Sequence, residues 1–310
     1  MKLRRAAALA VAAAAAGLTL TAAVNPQPPP EPPVSLPALT PAALAVRYTA
    51  NSAAVAQAAT AAARSGNPAL ARSLAGLRHQ HLLGFDPNGP GEAVEVLGNL
   101  ATARRVVILV PGSDTSLATF ASRGSASPQG GAHALAAQAR RLDPGARLAI
   151  IAWLGYRTPS LLSPAVLTSG NAGQGAQTLR PLVISLARHG DQVALLCHSY
   201  GSVVCGLAAP RLPVTDIAVF GSPGMDASSV RSLHTTARVW AGRDAGDWIR
   251  DVPHVRLLGI GFGADPTAPS FGARRFGCDD DGHSGYLQPG SVSLRNLAYI
   301  ALGEPGRVTP

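Results

Sequence analysis

The sequence predicts an α/β domain, a mostly parallel sheet with helices on both faces, preceded by a helical hairpin. Short, nearly continuously apolar runs recur at residues 93–97, 105–110, 147–153, 192–197, 216–220 and 238–241, as expected of strands buried on both faces. Stretches that favour helix, at 132–141, 175–188, 202–209 and 228–233, fall between them, and this alternation is the pattern of a parallel sheet. With 47% hydrophobic and only 14% charged residues in 310, the chain can bury a core of small aliphatics.

From the N terminus, Met1-Lys2-Leu3-Arg4-Arg5 supplies positive charge, residues 6–20 an apolar stretch, and Thr21-Ala22-Ala23 small residues before Val24. This order reads as a secretory signal peptide over residues 1–23, giving a secreted or cell-envelope-associated chain. The rival is an uncleaved anchor, but Ala, Gly17, Thr19 and Thr21 make residues 6–24 weakly apolar for a membrane span. Eight prolines between positions 26 and 41 make residues 24–40 an extended spacer. Pro41 then opens a helix read over 42–63, which Gly66-Asn67-Pro68 ends. A second helix over 69–81 completes a hairpin at 41–84. Turn residues at 85–89 open the main domain, residues 85–303, and 304–310 form a tail.

The formal net charge is +9, but Lys2, Arg4 and Arg5 lie in the signal segment and Lys2 is the only lysine. The remaining arginines are scattered and not interleaved with aromatics, so nucleic acid is not an expected partner. Three cysteines, Cys197, Cys205 and Cys278, allow at most one intrachain bridge. Their spacing lacks the paired ligands of a zinc site, and Asp279-Asp280-Asp281 has no spaced set of oxygen ligands beside it. No metal or cofactor is expected.

In sheets of this type, ligands bind beyond the carboxyl ends of the strands. The run 192–197 leads into His198-Ser199-Tyr200-Gly201 and then a small-residue helix, a strand–turn–helix setting that lifts a serine Oγ clear of the backbone. A serine nucleophile needs a base and an orienting acid, in the chain order Ser, acid, His. After 238–241 comes Asp244-Ala245-Gly246-Asp247-Trp248, and near the C terminus Asp281-Gly282-His283-Ser284-Gly285-Tyr286. Asp247 and His283 fit these roles, with Asp244 and His254 as the second choices. His198 reads as a packed, hydrogen-bonded histidine. The oxyanion needs two N–H donors, assigned to Tyr200 and to Ser113 in the loop Val110-Pro111-Gly112-Ser113-Asp114, with Gly112 next. Trp153 and Tyr156 either line the pocket or complete the core.

These motifs, together with Ala152-Trp153-Leu154-Gly155-Tyr156 and Gly221-Ser222-Pro223-Gly224, resemble an uncharacterised α/β-hydrolase family of high-GC Gram-positive bacteria, carried as a domain of unknown function. The resemblance spans about residues 85–303. It implies an α/β-hydrolase fold with the nucleophile at Ser199, the acid at Asp247 and the base at His283. The sequence departs from the family at Cys197, where its motif reads glycine. Cys197 is expected to be reduced, buried and unreactive. A bridge to Cys205 is not expected, because one ends a strand and the other is placed over two helical turns beyond the elbow.

The function expected is hydrolysis of an acyl ester through a Ser-His-Asp triad and an acyl-enzyme. The partner is a small-molecule or lipid acyl substrate, with association to the cell envelope. An envelope acyltransferase using the same triad and a catalytically silent binding module of the same fold are the alternatives.

Overall fold

The computed structural model describes residues 38–310. The signal-peptide reading and the spacer up to residue 37 lie outside them. Two N-terminal helices, α1 (Pro41–Arg64) and α2 (Pro68–Leu77), start where proline fixes the first helical φ and a preceding side chain caps. The Ala43 amide donates to Thr40 Oγ1 and the Leu70 amide to Asn67 Oδ1, satisfying helix-terminal donors.

Eight strands follow: β1 (His81–Asp86), β2 (Glu92–Leu97), β3 (Arg105–Val110), β4 (Leu148–Leu154), β5 (Gln192–His198), β6 (Asp216–Phe220), β7 (Arg238–Gly242) and β8 (Arg274–Arg275). They form one sheet in the order β1-β2-β4-β3-β5-β6-β7-β8. β2 pairs antiparallel with both neighbours, and every pairing from β4 to β8 is parallel. The carboxyl ends of β3 to β8 therefore share one edge.

Alternation along β3 explains the two-sided core. Val106, Ile108 and Val110 face one cluster, shared with α5 (Gly170–Arg188) and α6 (Gly201–Ala208), while Val107 and Leu109 face the other. The second cluster includes α4 (Pro128–Leu142) and α7 (Val292–Leu302). Successive strand side chains point to opposite faces, so a strand apolar at every position needs cover on both.

The structure departs from the sequence reading in four places. The second hairpin helix stops at Leu77, and residues 81–86, read partly as helix and partly as loop, form β1. Leu82 and Leu83 are buried and the strand pairs with β2, with a register shift between Leu82 and Gly84. Pairing with a neighbour outweighed local helix propensity there. Residues 228–233 hold only a 3₁₀ turn, Arg231–Leu233. Ser232 Oγ accepts from the Ser228 amide and donates to the Ser229 carbonyl, a local alternative to helical bonding. The C-terminal helix α7, the short α3 (Leu117–Phe120) and the two-residue β8 went unpredicted.

The fourth correction concerns Cys197, which is bonded to Cys205 across a Cα–Cα distance of 6.5 Å. Both are fully buried, as Cys197 was expected to be, but Cys197 is not reduced. The helix after Ser199 begins at Gly201, so Cys205 lies little more than one turn inside it. That helix folds back on its strand, as the 3.2 Å bond from Ser202 Oγ to the Cys197 carbonyl shows. Eight residues of sequence separation thus become a separation a disulfide can span.

Candidate active site

Ser199 follows the last residue of β5 with φ at +54°, in the left-handed region that costs a non-glycine residue energy and is held by its surroundings. Its amide donates to the Phe220 carbonyl at 3.0 Å and its carbonyl accepts from the Ser202 amide at 2.9 Å. Two glycines make the turn possible. A Cβ on Gly201 would stand 2.6 Å from the Pro111 carbonyl oxygen, and one on Gly112 would stand 2.6 Å from the Ser199 Cβ. Cys197 occupies the position that is usually a third small residue. Its side chain is absorbed into the core instead, bonded to Cys205 and lying in the buried cluster that also holds Val203 and Val219.

His283 Nε2 lies 2.9 Å from Ser199 Oγ, and its Nδ1 lies 2.8 and 3.0 Å from the two Asp247 carboxylate oxygens. Asp247 also accepts from the Tyr286 hydroxyl at 2.6 Å and from the Ile249 amide at 2.9 Å. Burial alone would raise the Asp247 carboxyl, but the His283, Tyr286 and Ile249 donors outweigh it and hold it below the usual carboxylate range. An ionised Asp247 only accepts, so His283 Nδ1 carries the hydrogen. Nε2 is then left free to accept the Ser199 hydroxyl proton.

Asp244, the second-choice acid, is used differently. Its carboxylate accepts from the Gly246, Asp281 and Gly282 amides at 2.9–3.0 Å. It thereby fastens the loop that carries His283 to the loop that carries Asp247. His254 lies against the Ser222 carbonyl and Asp265, away from Ser199. His198 packs against His283 with ring centroids 4.9 Å apart, where burial and then the neighbouring His283 push it down to about 3. Being neutral, it donates from Nε2 to the His283 carbonyl at 2.8 Å.

The two proposed oxyanion donors flank the serine. Among the described residues no protein acceptor takes the Ser113 or the Tyr200 amide hydrogen. The Tyr200 side chain anchors the elbow: its hydroxyl donates to the Thr168 carbonyl at 2.6 Å and accepts from the Ala172 amide at 3.2 Å. Tyr156 is buried and donates to the Pro111 carbonyl at 2.8 Å. It and the buried Trp153 complete the core behind the oxyanion loop and do not line the cavity. That cavity, about 240 Å³, opens over Ser199 and His283, with Leu109, Phe220 and Leu287 as its apolar wall and Ser113, Ser125 and Ser127 as its polar one.

Tyr286 and Trp248 stand in the sequence motifs with no role legible from their positions there. Tyr286 holds Asp247, and Trp248 packs over His283 with ring centroids 4.8 Å apart. Burial, then the Asp247 charge, raises the Tyr286 hydroxyl, so it stays a donor. Asp279 accepts from the Val292 and Ser293 amides and caps α7. Cys278 is a free thiol pushed up to about 12, by burial first and then by Asp244 and Asp279, which leaves it protonated and poorly nucleophilic.

Residues 86–257 match the profile of the alpha/beta hydrolase family. That is more than half of the chain, and the chain belongs to this family. The uncharacterized protein Rv2079 of Mycobacterium tuberculosis is 30% identical over 268 residues, covering 72% of this chain and 39% of its own length. A second M. tuberculosis relative, the uncharacterized protein Rv0963c, is 29% identical over 197 residues, covering 61% of this chain and 67% of its own. The chain thus spans about two fifths of the length of Rv2079. Among solved structures, esterase PE8 has a TM-score of 0.45 at 16% identity, covering 66% of this chain and 95% of its own. Esterase LipW from Mycobacterium marinum has a TM-score of 0.43 at 14% identity, covering 79% and 88%.

Proposed function

We propose that the chain is an exported serine esterase acting on a small-molecule or lipid acyl ester. The observation that carries this reading is the continuous hydrogen-bond chain Ser199–His283–Asp247, with two uncommitted amides beside the serine. In the reaction Ser199 Oγ bonds to the acyl carbon while its proton passes to His283 Nε2. The carbonyl electron pair moves onto oxygen, where the Ser113 and Tyr200 amides donate to it. Collapse breaks the bond to the alcohol, which leaves with the proton from His283. Water then repeats the sequence against the acyl-enzyme, releasing the acid and regenerating Ser199. The 240 Å³ cavity suits a short acyl group or the reacting end of a longer one.

The test is active-site labelling with a fluorophosphonate, read by mass spectrometry of the labelled peptide. Wild type is expected to be labelled at Ser199 and Ser199→Ala to lose the label with an unchanged fold. Persistent labelling of the variant overturns the assignment. For export, the mature secreted product is expected to begin at Val24, and a full-length membrane-bound product overturns that part.

A further inference from the structure

Large aliphatic side chains are seldom left bare in clusters on a soluble surface. Among the described residues seven are exposed, and six of the seven lie in two loops: Leu161 and Leu162, and Val255, Leu257, Leu258 and Ile260. Leu162 is 97% and Leu258 94% exposed. The first loop follows β4 and the second follows β7, so both leave the edge of the sheet that carries Ser199. They are joined at their bases by the bond from the Gly261 amide to the Leu167 carbonyl, 2.9 Å. Leu161 connects this rim to the site, because it also lines the cavity over Ser199 and His283. The Asp114 amide donates to the Pro159 carbonyl and its carboxylate accepts from the Leu161 amide, fixing the first tip beside the oxyanion loop.

The second tip is built at a cost that folding does not explain. Leu257 and Ile260 exchange both backbone hydrogen bonds, each 2.9 Å, and Leu258 and Gly259 between them have φ of 51° and 83°. Such a turn favours asparagine or glycine at its first central position, yet a leucine stands there with almost all of its surface in water. The paired backbone on either side reduces the polar groups that would have to be desolvated if the tip entered an apolar phase. Arg157 ahead of the first tip and Arg256 beside the second are exposed. Arg256 is ion-paired with Asp226 at 2.7 Å, so Arg157 is the cation of this rim best placed to meet a phosphate head group.

We propose that this rim docks on a lipid layer and presents the mouth of the cavity to acyl esters held in it. The inference rests on the esterase reading and names the physical state of its substrate.

The test uses the full chain carrying Ser199→Ala, so that no lipid is consumed. Vesicles of phosphatidylcholine and phosphatidylglycerol with brominated acyl chains serve as quencher. A tryptophan introduced by Leu258→Trp is expected to be quenched at least twofold more than one introduced by Val46→Trp, the exposed aliphatic of α1. Leu162→Ser with Leu258→Ser, in the Ser199 enzyme, is expected to lower turnover of a vesicle-borne ester at least tenfold. The same double variant is expected to leave a dissolved short-chain ester within twofold. Equal quenching at the two positions, or none, overturns the docking surface, while hydrolysis of the dissolved ester keeps the esterase reading. Selective quenching at position 258 with no hydrolysis by wild type upholds the surface and overturns the esterase. A concentration-dependent dimer, abolished by the double variant and unaffected by vesicles, assigns the rim to a second copy and overturns the proposal.

Discussion

At the amino-terminal edge of the sheet Asp216 meets two arginines, and at the carboxyl-terminal edge Asp247 meets a histidine. Both carboxylates are buried and both are held below the usual range, since burial raises each but its donors outweigh it. Asp216 accepts from Arg238 Nε and Nη2 at 2.7 and 2.8 Å, from Arg105 Nη2 at 2.7 Å and from Trp240 Nε1 at 3.0 Å. Arg105 also reaches Gln192 and the Ala301 carbonyl. One network thereby ties the starts of β3, β5, β6 and β7 to the end of α7. Arginine cannot release its proton in a protein, so this aspartate is confined to holding strands together. Histidine can, and in the proposed reaction it makes an otherwise similar buried carboxylate part of a proton path.

Exchanging each carboxylate for an amide sharpens the contrast. Asp247→Asn is expected to lower kcat by about 10⁴, as loss of the correct imidazole tautomer does in a well-studied triad, with little change in urea stability. Steady-state kinetics beside a denaturation curve checks this. Asp244→Asn is expected to cost far less, because it loosens the His283 loop without removing the partner of Nδ1. A larger loss from Asp244→Asn would exchange the two roles. Asp216→Asn is expected to do the opposite, costing about 3–5 kcal/mol of stability because two arginines are left with a broken buried pair. The native protein is expected to keep its fluorophosphonate labelling rate within about twofold.

The disulfide offers a smaller effect at the functional edge. Replacing both Cys197 and Cys205 by alanine is expected to cost roughly 2–3 kcal/mol, the scale of closing so short a loop, while Ser199 stays reactive. Thiol counting under denaturing, non-reducing conditions is expected to find Cys278 alone. Recovery of three free thiols breaks the pairing.

The last prediction concerns Glu95 of β2, fully buried, with Gln129 donating to Oε2 at 3.0 Å and His133 Nε2 3.7 Å from Oε1. Burial pushes it up to about 7 despite the Gln129 bond. A carboxyl raised on folding favours the protonated form. Its contribution is therefore complete below the unfolded value of about 4.3 and is lost as pH rises through 7. Glu95→Gln is expected to stabilise the protein at pH 8 by up to roughly 3 kcal/mol and by almost nothing at pH 4. Thermal melts at the two pH values check it, and a pH-independent gain would place the effect in packing.

Local signals were legible to the extent that they were repeated or chemically demanding. β3, with five consecutive apolar residues after Arg105, could be read because both of its faces need cover. β1 could not, because a short apolar run after a helix has no period that distinguishes it from the helix continuing. The elbow was readable from Ser199 and Gly201, since only small residues permit that approach of strand and helix. The pairing of Cys197 with Cys205 is not legible along the chain, because Cys205 lies little more than one turn into a helix that starts at Gly201 and folds back on its own strand, not over two turns beyond the elbow.

Reading along the chain suffices for the α/β alternation, for the edge on which ligand-facing residues must lie, and for the order Ser199, Asp247, His283. These follow from periodicity and turn chemistry, which act over a few residues. Which carboxylate meets the imidazole, the Tyr286 bond to that carboxylate and the meeting of two leucine-tipped loops beside the cavity come from the three-dimensional arrangement alone. The hydrogen-bonded pairs of the site lie 36 and 84 residues apart. Their distances are set by the order in which strands pair, a property no local stretch of sequence contains.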